Sequence, residues 1–142
     1  MTLTTLVMPD ALGARISTEA RAAFPRECCG LIEGVRTGDA IHAVAIHPVH
    51  NVSPHADSFE IDPAAHLRFR RIAREAGRAI VGCYHSHPNG RPSPSPRDLA
   101  GEADFVWLIA ALDAHGAQSL AAFVPDTSRW HRIALEISAR AA

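Results

Sequence analysis

A chain of 142 residues that is 47% hydrophobic and 20% charged falls in the ordinary globular range. It predicts one domain over residues 1–142, with a core that needs neither disulfide nor metal to close. Fourteen basic against fifteen acidic residues leave a formal net charge of −1, and the basic residues are scattered, so nucleic acid as a partner gets no electrostatic support.

Every basic residue is Arg and none is Lys, which excludes Schiff-base chemistry, a Ser–Lys dyad and a P-loop lysine. Catalysis is left to His, Asp, Glu, Ser, Cys or a metal. The first residues, Met1 to Pro9, lack the basic start and long apolar stretch of a signal peptide, and no window approaches about 18 unbroken apolar residues. A soluble cytoplasmic protein without a membrane partner is expected. Cys28, Cys29 and Cys83 include no CxxC pair; they predict reduced, partly buried thiols rather than a disulfide framework.

In chain order, a short strand is expected before a helix over residues 9–24, where Leu12, Ile16, Ala20, Ala23 and Phe24 share a face until Pro25 ends it. Apolar runs over residues 28–35 and 40–47, separated by Thr37-Gly38, predict a β-hairpin. Asp62 offers an N-cap and Pro63 a first helical residue. Behind them Ala65, Phe69, Ile72, Ala73 and Ala76 recur at helical spacing up to Gly77. Residues 79–84 form a strand-length apolar run that enters His85-Ser86-His87-Pro88-Asn89-Gly90 and a Pro-rich loop. Three more strands are expected at residues 105–112, 119–124 and 130–137. The resulting fold class is α/β, a mixed β-sheet flanked by helices.

Residues i and i+2 of a strand project from one face, so His85 and His87 can aim two imidazoles at one point while Ser86 turns away. Eleven residues after His87 stands Asp98, in Ser95-Pro96-Arg97-Asp98, a segment that also reads as a capped helix start. A helix N-terminus there would fix the carboxylate near the strand end. Two His and one carboxylate make an open zinc site, whose fourth position takes a water with its pKa lowered to about 7. Such a site still needs a proton shuttle and an oxyanion donor. Spacing alone does not select the shuttle, and Ser93, Ser95, Ser86 or Tyr84 could supply the hydroxyl.

These residues resemble the JAMM (MPN-plus, JAB-domain) metalloprotease family. Its signature is an upstream Glu, then His-x-His-Pro, a Ser seven residues counted from that Pro, and an Asp after two more residues. His85-Ser86-His87-Pro88 is followed at that spacing by Ser95 and Asp98, and Pro25-Arg26-Glu27-Cys28-Cys29-Gly30-Leu31 is similar to the family's Glu-x-Cys-Gly segment. Asn51, Phe59-Glu60-Ile61-Asp62-Pro63 and the helix before Val81 look like small prokaryotic single-domain members.

The resemblance implies a JAMM/MPN, cytidine-deaminase-like architecture with one zinc per chain held by His85, His87 and Asp98. It implies Glu27 as general base and acid, and Ser95 as the stabiliser of the tetrahedral oxyanion. It further implies a zinc metallopeptidase or isopeptidase that cuts after the C-terminal Gly of a ubiquitin-like or sulfur-carrier (ThiS- or MoaD-type) protein. A Gly-Gly tail suits a narrow groove, where only glycines fit and the backbone can bond as an added strand.

Two rivals are a non-catalytic MPN-type protein-binding scaffold, against which the intact motif argues, and a RadC-like DNA-repair-associated relative. The Glu27-Cys28-Cys29-Gly30 start and the near-neutral charge favour the peptidase over the latter. The zinc deaminases' Pro-Cys-x-x-Cys pattern is absent. The three cysteines are assigned no catalysis, the remaining histidines no second metal site, and a homodimer through an exposed strand edge is left open.

Overall fold

The computed structural model of the chain describes residues 2–91, 104–126 and 129–139. Strand β1 (Thr5–Pro9) runs directly into helix α1 (Asp10–Ala23). Leu12, Ile16 and Ala20 form its buried stripe, while Phe24, expected on the same face, is 48% exposed. The helix ends one residue earlier than the apolar periodicity suggests, and Phe24 leaves the helical path toward Pro25.

Strands β2 (Cys29–Thr37) and β3 (Ala40–Val49) form the expected antiparallel hairpin, turning at Gly38 with a φ of 63° that an L side chain rarely adopts. Helix α2 (Pro63–Glu75) starts as its sequence predicts: the Asp62 side chain accepts the Ala64 N–H at 3.3 Å and Pro63 takes the first turn. Of its predicted stripe Ala65 and Ala73 are buried, Phe69 is packed beside them, and Ile72 is 44% exposed. The buried stripe is narrower than expected because Ile72 stands on the flank of the helix turned away from the sheet. Strands β4 (Ala79–His87), β5 (Val106–Leu112), β6 (Gln118–Asp126) and β7 (Arg129–Ser138) complete the described chain.

The seven strands run β1-β3-β2-β4-β5-β6-β7 and the ring closes through parallel pairing of β1 with β7. Pairing is mixed, since β1–β3 and β4–β5 are also parallel and the rest antiparallel. In the described residues a mixed sheet and two helices agree with the expected α/β class, and the sheet closes like a barrel, a feature the expectation of a flanked sheet does not include. Leu6, Ile32, Ile41, Tyr84, Leu108, Ala122 and Ile133 bring one face of every strand into a single core with Leu12, Ile16 and Ala20 of α1. Thus α1 packs on the concave side. On the opposite side Ala73 of α2 meets Leu31, Ile80, Cys83 and Trp107. Among the described residues no helix is long and apolar enough to cross a membrane.

The register between β2 and β4 sets the geometry where β4 ends. Cys29 pairs with His85 and Gly30 with Tyr84, and the ladder continues outward where the Ser86 N–H donates to the Cys28 carbonyl at 3.0 Å. Glu27 is thereby set opposite His87. A Cβ on Gly30 would fall into the Tyr84 ring, so glycine is what lets that ring cross β2 on its way to Glu19, whose carboxylate accepts the phenol O–H at 2.9 and 3.0 Å.

Candidate metal centre

Strand alternation turns His85 and His87 to the convex side of the sheet, with Cys83 and α2, while Tyr84 points into the core. Ser86 faces away from the imidazoles, and its hydroxyl oxygen accepts the Cys28 N–H at 2.8 Å. The Nε2 atoms of His85 and His87 lie 2.9 Å apart. Glu27 joins them, and one ligand-capable atom from each of Glu27, His85 and His87 lies within 4.8 Å of the other two. All three side chains are buried, at 7%, 0% and 8% exposure.

The donor set suits a divalent cation. His87 Nδ1 is 2.9 Å from the Arg91 carbonyl oxygen, which can only accept, so Nδ1 carries the proton and Nε2 presents its lone pair. Two imidazole nitrogens converging on one point beside a carboxylate form a borderline-soft N/O site, the kind that zinc and its first-row neighbours take. Five residues are singled out by the sequence, and the structure brings Glu27, His85 and His87 together; Ser95 and Asp98 lie outside the described residues.

Aromatic rings wall the site. Phe59 stacks on the His85 imidazole at 4.3 Å with an interplanar angle of 19°. Trp107 meets His85 edge-on at 5.9 Å and Trp130 at 5.2 Å. Neither indole N–H has a hydrogen-bond partner among the described residues, and both lie in this ring-lined wall. Burial among aromatic rings lowers the local dielectric, which strengthens charge interactions within the site.

Trp107 and the Arg91 carbonyl carry no role in the sequence motif, and Asn51 and Phe59 enter only through the family resemblance. Their partners are distant in the chain or are backbone groups, so spacing does not reveal them. Burial above all pushes the Cys28 thiol up to about 11 and the Cys29 thiol up to about 12, which keeps both protonated near neutrality.

The family described as prokaryotic homologs of the JAB domain matches residues 9–125. The chain belongs to this family. This JAB domain is 37% identical over 92 residues to a desampylase of Haloferax volcanii, covering 63% of this chain and 65% of that one. It is 34% identical over 76 residues to a probable TtuB-protein conjugate cleaving protease of Thermus thermophilus, covering 53% of this chain and 48% of the relative. The chain therefore spans less than two thirds of the length of these curated relatives. The solution structure of a protein from Desulfitobacterium hafniense superposes with a TM-score of 0.82 over 95% of this chain and 94% of that one, at 24% identity. That likeness is one of fold.

Proposed function

We propose that this JAB domain is a JAMM-type zinc metallopeptidase that hydrolyses the amide or isopeptide bond after the C-terminal Gly of a ubiquitin-like or sulfur-carrier (ThiS- or MoaD-type) protein. The observation that carries the reading is the buried convergence of Glu27, His85 and His87. Similarity to a desampylase and to a conjugate-cleaving protease supports the choice of substrate class.

In this reading His85 and His87 hold the ion together with Asp98. Bound zinc would polarise the scissile carbonyl and bring the pKa of a coordinated water down to about 7. Glu27 takes a proton from the attacking water and delivers it to the leaving amine, whether that amine belongs to a cysteine, a short C-terminal extension or a lysine side chain. The Ser95 hydroxyl donates to the oxyanion of the tetrahedral intermediate. A Gly-Gly tail fits because residues without Cβ bring their backbone close to a walled site.

The test is elemental analysis of untagged protein purified without added metal, paired with cleavage of a sulfur-carrier fusion. Wild type is expected to hold about one zinc and Asp98→Ala much less, while Glu27→Ala keeps zinc and loses cleavage. Absence of zinc even after supplementation, or undiminished turnover by Glu27→Ala, overturns the assignment. A bulky residue in place of the substrate's terminal Gly is expected to block cleavage.

A further inference from the structure

Residues 51–61, between β3 and α2, form a lobe fastened at both ends. Asn51 bridges to Ile61, and the Val52 N–H donates to the Glu60 carbonyl at 3.0 Å. At the centre stands the Asn51 side chain. Its Nδ2 donates to the Glu27 carbonyl and to the Ser58 carbonyl, each at 3.0 Å. Its Oδ1 accepts the Ser53 and Glu60 N–H groups, also at 3.0 Å. A carboxamide has two donor hydrogens and two acceptor lone pairs, and Asn51 uses all four.

Those bonds reach two members of the candidate centre at once. One ties the backbone of Glu27, just before β2 begins. Through Ser58 and Glu60, the others hold both chain neighbours of Phe59, whose ring stacks on His85. Two more contacts lock the lobe without touching the site: Arg26 Nη2 donates to the Ser53 carbonyl at 3.1 Å, and the Ser53 and Ser58 hydroxyls lie 2.6 Å apart.

We infer that Asn51 is a positioning residue that couples the placement of Glu27 to the placement of the His85 imidazole through Phe59. The inference rests on reading Glu27, His85 and His87 as the reaction centre. Neither end of this link is held by its own strand alone. Glu27 precedes the first residue of β2, and the His85 ring can turn about its side-chain torsions unless a surface covers it. Packing and outer-shell contacts of this kind set ligand orientation, and their loss typically weakens metal affinity tenfold to a hundredfold.

Asn51→Asp is the discriminating variant. Its remaining oxygen still accepts from Ser53 and Glu60, but an oxygen replaces Nδ2 in front of two carbonyls and repels both. Histidine side-chain NMR on chelator-treated protein reads the consequence directly, because the Phe59 ring current displaces the His85 ring signals. In Asn51→Asp those signals are expected to move toward ordinary histidine positions while resonances near Gly38, at the far end of the β2–β3 hairpin from the lobe, stay in place. Zinc affinity by competition with a chromophoric chelator is expected to fall about tenfold or more.

Phe59→Leu removes the ring and leaves Asn51 intact. The ring current disappears with the ring, so zinc affinity is the readout for this variant: it is expected to weaken, which tests the Phe59 end of the link even if Asn51→Asp folds poorly. Unmoved His85 signals in Asn51→Asp, or zinc affinity within twofold of wild type in both variants, would overturn the inference. So would a shift spread over the whole spectrum, which would mark Asn51 as general scaffolding. If wild type takes up no zinc, the metallopeptidase reading falls, while the His85 signals of Asn51→Asp still decide whether the lobe positions that ring.

Discussion

The Nδ1 of His87 donates to the carbonyl oxygen of Arg91 at 2.9 Å, which turns the lone pair of its Nε2 toward His85. This one bond selects the tautomer that a metal ligand requires. It also ties the end of β4 to the first residues of the Pro-rich loop.

The domain's core is assembled without the centre, since α1 shares one core with all seven strands, packing on β1, β5 and β7, and α2 packs on β2 and β4 on the other side. A chelator is therefore expected to leave the far-UV circular dichroism unchanged. Added zinc should then stabilise the fold by about 2.7 kcal/mol at a hundredfold excess over its Kd. Unfolding on chelation would mean that the metal is structural.

Gly30 passes over the Tyr84 ring without room for a methyl group. Gly30→Ala is expected to cost about 1–3 kcal/mol in urea unfolding, the usual cost of overpacking. Combining it with Tyr84→Leu should cost less than the sum of the two single changes, because the second removes the obstacle created by the first. Strict additivity would show that the ring is not what the glycine accommodates.

Glu33, 3% exposed, accepts from His47 Nε2 at 2.8 Å and from Arg78 Nε. Burial alone would raise its carboxyl, but the bonds from His47 and Arg78 outweigh burial and hold it below the ordinary carboxylate range. A folded-state value below the unfolded one contributes stability above about pH 4.3 that is lost as the pH falls through the folded value. Glu33→Gln is expected to lower stability by about 1–3 kcal/mol at neutral pH. It should also flatten the acid side of the Tm-against-pH curve, and a parallel curve would assign that slope to other groups.

Burial keeps the thiols of Cys28 and Cys29 protonated, and Cys83 lies buried beneath α2. Iodoacetamide at pH 8 is expected to label none of the three in the native protein at the rate of a free thiol, and all three after denaturation. Rapid native labelling of one would identify a reactive cysteine.

Much of the fold is legible in local chemistry. The Asp62-Pro63 start of α2, the turn at Gly38 and the strand that carries His85 and His87 are each set by neighbouring residues. The departures occur where tertiary packing takes over. Phe24 continues the apolar periodicity of α1 but stands outside the helix, and Ile72 belongs to the stripe of α2 but faces solvent. Closure of the sheet into a ring depends on β1 meeting β7, a pairing that no local pattern encodes.

The sequence by itself determined that two imidazoles share a face and aim together, because the pleat of a strand alternates with period two. It also carried the motif that identifies the family. The family resemblance already named Glu27, but the geometry that sets it beside them is tertiary, since the antiparallel register pairing Cys29 with His85 arises when both faces of the sheet are packed at once. The same holds for Asn51, whose four hydrogen bonds end on backbone groups of Glu27, Ser53, Ser58 and Glu60. Backbone groups are alike at every position of a chain, so only folding determines which of them a side chain will meet.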